Sequence, residues 1–269
     1  MAEKDYSKIA AEKITRPSEV VRRPKLLIYG RNKKGKTWFC TSAGVDKILI
    51  ADPEHGTDEF KQRNPHVWPI DQWEDLEDFY QFCRSGKHEY TWAALDGLSR
   101  MSNMALRYVM KVQEERSLDR QPGLVQQRDY GKAGELVKQM LTNFHNLPMG
   151  VIYTAQERME SSVDMDEDED AEDTDLYFVP DLPKGVRGMA NSLVDLIGRI
   201  YVIKLEDGRK ERRLWIGETT RYDTGYRSDH TLPEMIKNPT VPRVVSYIRT
   251  GKPPAKKSAS TTRKKVTNG

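Results

Sequence analysis

The chain has 269 residues, 37% of them hydrophobic and 32% charged, and a formal net charge of +3. That length suits one large α/β domain with polar segments outside its core, and so small a net charge declares no global field for a nucleic-acid partner. Its two cysteines, Cys40 and Cys83, lack metal-ligand spacing and sit in apolar helical contexts, which fits a reduced cytoplasmic setting.

Residues 1–23 read as a flexible N-terminal arm with basic points at Arg16, Arg22 and Arg23. Its opening, MAEKDYSKIAAEK, is polar and lacks the apolar centre of a secretory signal. No stretch approaches the roughly 20 apolar residues of a membrane span, so no membrane partner is expected. Lys25–Tyr29 and Lys47–Ala51 are short apolar runs, read as buried strands, and a helix is expected from Thr37 to Ala43 between them. An acidic helix is expected over 71–85 and a third strand over 90–96. Helices over 98–116 and 131–145 follow, then a fourth strand over 149–155. Residues 157–187 read as a long acidic mobile loop inserted in a domain that spans 24–249. A short helix over 189–196 leads to strands 199–205 and 212–217, joined at Asp207–Gly208, a hairpin signal. Residues 250–269 read as a disordered basic tail. Strands alternating with helices imply a mostly parallel sheet flanked by helices, extended by a late antiparallel hairpin. Ligands in such sheets sit outside the carboxyl ends of the strands.

The segment Gly30-Arg31-Asn32-Lys33-Lys34-Gly35-Lys36-Thr37 fits G-x-x-x-x-G-K-[ST] at every fixed position, between a strand and a helix. Its glycines let the backbone turn its N–H groups toward phosphate oxygens. Lys36 is placed to reach the β- and γ-phosphates of ATP, and the Thr37 hydroxyl to bind Mg²⁺. Asp96, at the tip of the third strand, stands where a Walker B acid holds that metal; the alternative is a helix cap. The next residue is Gly97, so the acid that polarises the attacking water must come from elsewhere. The tip of the second strand, Asp52-Pro53-Glu54-His55, offers Glu54; the alternative is a solvated acidic loop.

These features together resemble the RecA recombinase core, and the chain's brevity resembles the compact phage-encoded RecA-like ATPases that anneal single strands. The resemblance covers roughly residues 24–250 and rests on the phosphate loop, Asp-Pro-Glu-His, Leu95-Asp96-Gly97, Gln156 and the closing order of elements. It implies that Glu54 activates water, and that Gln156, ending the fourth strand, senses the γ-phosphate beside a DNA-binding loop. It also implies that a basic residue after the last strand, Arg221 or Arg227, reaches the ATP of a neighbouring subunit in a ring or filament. Implied partners are single-stranded DNA, further copies of the chain, and a single-strand-binding protein or exonuclease, in the host cytoplasm if the chain is phage-encoded. One departure stands out: after Gln156 comes an acidic run from Glu160 to Asp175 that would repel phosphates, although Lys184 and Arg187 follow it. The tail is the opposite case, with Arg249, Lys252, Lys256, Lys257, Arg263, Lys264 and Lys265 and no acid. The activity expected is DNA-stimulated hydrolysis of ATP to ADP and phosphate in recombination. The rivals are a helicase-like or packaging motor and a nucleotide-gated DNA-binding assembly factor with little turnover.

Overall fold

The computed structural model describes residues 5–16, 22–117, 119–161 and 176–255. Within the expected loose arm a helix forms, α1 (Tyr6–Lys13), because Asp5 accepts hydrogen bonds from the Ser7 and Lys8 N–H groups as its N-cap. None of its residues is buried, so local capping accounts for it.

The core is written by fully buried strands. β1 (Lys25–Tyr29), β2 (Ile48–Asp52), β4 (Trp92–Asp96) and β5 (Gly150–Ala155) are buried along their whole lengths, as expected for a sheet covered on both faces. A shorter edge strand, β3 (His66–Pro69), joins β2; it is only half-buried, and no apolar run announces it. β6 (Glu157–Ser161) and β7 (Leu176–Pro180) pair as a separate antiparallel hairpin. β8 (Leu196–Lys204), β9 (Lys210–Trp215), β10 (Gly225–Tyr226) and β11 (Met235–Lys237) complete the main sheet. Its order is β11-β9-β8-β1-β5-β4-β2-β3, with β10 beside β8. From β8 to β3 every pairing is parallel, and β9, β10 and β11 are antiparallel additions.

Successive side chains of β1 point to opposite faces. Leu27 and Tyr29 pack under α3 (Asp75–Ser85), α4 (Leu98–Arg116), α5 (Gln127–His145) and α6 (Lys184–Leu193). Leu26 and Ile28 pack under α2 (Lys36–Thr41) and α7 (Val241–Thr250). The expected α/β class, a mostly parallel sheet flanked by helices with a late antiparallel hairpin, is the class observed.

Two expectations need correction. The segment 157–187 is not one long loop: its described ends are β6, β7 and the start of α6, and only 162–175 lies outside the described residues. The helix read at 189–196 begins earlier, at Lys184 after Pro183, and yields at Val194 to β8, whose Leu196 and Ile197 pair with β1. Before the tail expected from residue 250 the structure adds a helix, α7, which Thr240 caps and Gly251 closes at φ +66°.

Candidate functional site at the phosphate loop

Parallel strands ending side by side bring distant residues together. The strand before the phosphate loop, β1, and the strand ending in Asp96, β4, are separated by β5, which ends just before Gln156. All three therefore deliver polar residues to one crevice at their carboxyl ends. The loop itself turns through left-handed backbone at Lys33 (φ +60°) and Gly35 (φ +99°). At Gly35 the positive φ would strain any side chain, and a Cβ would also have to displace Arg212, whose Nε would stand 2.5 Å away.

Lys36 is folded into the mouth of the loop. Its Nζ donates to Gly30 O at 2.8 Å, Arg31 O at 3.1 Å and Gln156 Oε1 at 3.2 Å. Burial lowers its pKa, while Asp96, Glu54 and Glu157 act in the opposite sense. Those acceptors are the loop's own carbonyls and a side-chain amide, groups that phosphate oxygens can replace.

Asp96 is buried, and its Oδ1 accepts from Thr154 Oγ1 at 2.5 Å. The Thr37 hydroxyl lies close enough to favour the ionised carboxylate as well. Burial raises the Asp96 pKa, against the pull of those two hydroxyls and Lys36. Thr37 and Asp96 thus present adjoining hard oxygen donors, the chemistry Mg²⁺ prefers. Among the described residues no group of three or more His, Cys, Asp or Glu side chains could hold a metal alone. A Mg²⁺ ion here would share Thr37 and Asp96 with nucleotide phosphates, and would offset charge on the β- and γ-oxygens.

The β2 tip separates two acids of similar sequence context. Asp52 is buried and saturated: it accepts from the Glu54, Gly56 and Thr57 N–H groups and from Thr57 Oγ1 at 2.6–3.2 Å. It shapes the turn, in which His55 adopts φ +53°. Glu54 is exposed, close enough to Lys36 to act on its charge. A Cβ on Gly97 (φ +135°) would stand 3.6 Å from Glu54 Oε1 and 3.1 Å from Pro53 Cγ. The glycine after Asp96 therefore leaves room for the Pro53–Glu54 turn, and a carboxylate reaches the crevice from β2 instead.

Gln156 is held at both ends: its N–H donates to Ser99 Oγ at 3.0 Å and its amide oxygen meets Lys36. The next residue, Glu157, has a buried side chain that pairs with Arg199 at 2.6 Å and with Arg31 at 3.3 Å. The phosphate loop is thereby tied to the root of the β6–β7 hairpin. Arg199 lies under Tyr222 and Phe178, at 4.5 and 4.9 Å from their ring centroids.

Lys36, Thr37, Asp96, Glu54 and Gln156 therefore converge. Arg31 is exposed and points to Glu157, while Asn32, Lys33 and Lys34 form the outer side of the loop. Arg221 and Arg227 do not join this cluster. Arg221 is exposed beside β7, where its carbonyl accepts from Phe178 N. Arg227 lies at the opposite end of the sheet, bound to Ser192 O at 2.6 Å and, through its N–H, to Asp195 O. Arg187 is not free for phosphate either: it is buried in a bidentate pair with Glu160, both bonds at 2.9 Å, and Arg158 joins the same carboxylate. The acids beyond Ser161 and the tail cations from Lys256 onward lie outside the described residues. Sequence reasoning missed Thr154, Ser99, Glu157 and Arg199; only the pairing of Asp96 with Thr154 across adjacent strands reveals the first.

No curated protein matches the chain. Among solved structures, a KaiC-like protein from the hyperthermophilic archaeon Pyrococcus horikoshii OT3 is similar, with a TM-score of 0.39 and 10% identity over 76% of this chain and 82% of that one. The AAA domain family matches residues 22–228, a span that holds the phosphate loop, Glu54, Asp96 and Gln156. The chain belongs to that family and is a P-loop, nucleotide-binding ATPase.

Proposed function

We propose that the protein is an ATP-dependent single-stranded DNA-binding protein that promotes annealing or strand pairing in phage-type homologous recombination. The observation that carries this reading is the contact of Gln156 with Lys36, one residue before the hairpin root at Glu157. A γ-phosphate arriving at Lys36 competes with the Gln156 amide oxygen for the ammonium, and any shift of that side chain is felt by β6, which starts at the next residue. Nucleotide state would thus be coupled to the β6–β7 hairpin, as a nucleotide-gated strand-pairing protein requires. In the chemical step, Lys36 and the loop N–H groups position the phosphates, and Glu54 orients and deprotonates the attacking water. Charge developing on the transferring group falls to Lys36 and to a basic residue of a neighbouring copy, for which Arg221 and Arg227 are the two candidates. A helicase-like or packaging motor, or an assembly factor without appreciable turnover, is the alternative outcome.

The test is ATPase rate with and without single-stranded DNA, beside annealing and unwinding assays. DNA-stimulated turnover with ATP-dependent annealing is expected. ATP-driven unwinding, or DNA binding with no turnover, would replace the proposal with one of its rivals. The same ATPase assay, run on Lys36→Ala mixed with Arg221→Ala or Arg227→Ala, should recover activity for the arginine that acts across the interface. No recovery in confirmed mixed assemblies would make the site self-contained.

A further inference from the structure

The end of the β8–β9 hairpin runs along the outer side of the phosphate loop. Between them opens a cleft of about 480 Å³, lined by Lys33, Lys34, Lys204, Lys210, Arg212 and Asn238. No carboxylate lines it. Among the described residues none of its five cations makes an ion pair, whereas most arginines nearby do. The neighbouring acid, Glu211, is turned to the other face of the strand and is bound to Arg213 at 2.8 Å.

Arg212 is held in this position. Its guanidinium lies 4.5 Å from the centroid of Trp38, and the Arg63 guanidinium lies 4.6 Å from the same ring. Burial and Arg63 both lower the Arg212 pKa, the mark of a cation kept near another without a counter-charge. Lys36 points the other way, into the loop, so the cleft is separate from the seat of the β- and γ-phosphates. Four of the five cations are lysines. Ammonium groups are mobile point charges without a fork geometry. They suit a run of phosphates that carries no sequence information better than a single planar carboxylate.

We propose that this cleft seats the phosphodiester backbone of single-stranded nucleic acid against the outer face of the phosphate loop. The inference rests on the DNA-binding reading above and gives it a place distinct from the acidic segment and the tail. Because Lys33 and Lys34 belong to the loop that holds the nucleotide, strand and nucleotide share one structural element. Each then changes the affinity of the other by the same factor.

The test is a double variant, Lys204→Ala with Lys210→Ala, in the full chain. Binding of a fluorescent oligothymidylate is followed by anisotropy across a salt series, and binding of a fluorescent ATP analogue is followed in parallel. Loss of two phosphate contacts should weaken oligonucleotide binding about tenfold and reduce the slope of log K against log salt by about 1.4. Melting temperature and nucleotide affinity without DNA should stay at wild-type values. Wild-type chain that binds the oligonucleotide, matched by a variant with the same affinity and slope, would overturn the cleft alone. Wild-type chain that binds no oligonucleotide would overturn the DNA-binding reading and the cleft with it. Competition by polyglutamate as strong as by unlabelled oligonucleotide would reassign the cleft to an acidic protein segment.

Discussion

Two lysines, Lys25 buried and Lys36 half-buried, mark the two ends of the sheet, and they do opposite things. Lys25 begins β1 with no exposed surface; its Nζ donates to Leu147 O at 2.8 Å and Met149 O at 2.5 Å. Lys36 begins α2 beyond the other end of that strand and donates to Gly30 O, Arg31 O and Gln156 Oε1. Burial lowers the pKa of both. Burial and a perturbed pKa therefore do not by themselves identify the working residue; the nature of the acceptors does. Lys25 satisfies carbonyls of the turn after α5 that would otherwise be stranded. Lys36 rests on groups that an incoming phosphate displaces, with Asp96 and Glu54 behind it.

The sharpest way to break this contrast is to remove each ammonium. Lys36→Ala should leave a folded protein whose ATP turnover falls by about 10³-fold, since a positioned donor to the phosphoryl oxygens is gone. Lys25→Met should instead lower stability by about 1–3 kcal/mol, the cost of leaving buried carbonyls unpaired, with turnover retained in the folded fraction. Steady-state ATPase rates and urea melts on both variants decide it. Turnover by folded Lys36→Ala at the wild-type rate would remove the site assignment.

A similar pairing at the β2 tip has a smaller expected effect. Glu54→Gln keeps size but removes the proposed base, so hydrolysis should fall by about 10²-fold with ATP binding intact. Asp52→Asn replaces an acceptor of three N–H groups and a hydroxyl with an amide that carries its own donors. It should cost about 1–3 kcal/mol of stability and alter turnover only through the shape of the turn. Normal hydrolysis by Glu54→Gln beside a dead but stable Asp52→Asn would mean that the water is handled by the other acid.

How much of this was legible depends on the distance over which each feature is written. The phosphate loop is eight consecutive residues between a strand and a helix, so its chemistry could be read directly. Asp96, Glu54 and Gln156 were legible as polar residues ending apolar runs, because parallel strands bring their carboxyl ends together. The division of labour between Asp52 and Glu54 was not, since it rests on which carboxylate the turn's N–H groups consume. Nor was the Glu157–Arg199 pair, whose members lie 42 residues apart and meet only because β8 lies beside β1. The segment after Gln156 was misread for a related reason: its acidic composition hid β6 and β7, whose side chains lean on Arg158, Arg187 and Arg199 rather than on a common apolar core. α7 is written only in its caps, Thr240, Pro242 and Gly251, among basic residues whose pattern otherwise reads as the start of a charged tail.

The last and smallest effect concerns pH and again separates the two lysines. Burial, with Arg22 adding to it and Asp195 opposing, pushes the Lys25 ammonium down from 10.5 to about 8. His145, the other titratable group facing it, is itself lowered by burial and by Arg22 and Lys25, so it adds no like charge above neutral pH. Below pH 8 native and unfolded chains both hold the Lys25 proton, and the native state bears the cost of desolvating it. Between about pH 8 and 10.5 the unfolded chain still holds that proton while the native chain has lost it. The unfolded state then binds more protons, so this group makes stability rise with pH, by at most about 1.4 kcal/mol per pH unit. Neutral Lys25 keeps its N–H donors, so its bonds to Leu147 and Met149 survive the titration. Other groups titrate in the same window, and the measurement is therefore a difference: urea unfolding of wild type and Lys25→Met at half-unit steps from pH 7.5 to 10. The wild-type curve should gain on that of the variant as pH rises. The same subtraction with Lys36→Met should give a shallower slope, because Asp96, Glu54 and Glu157 hold the Lys36 proton against desolvation. Parallel curves for wild type and Lys25→Met would show that the buried amine at this end of the sheet is solvated or paired in a way its position does not reveal, and the contrast between the two lysines would then rest on chemistry at Lys36 alone.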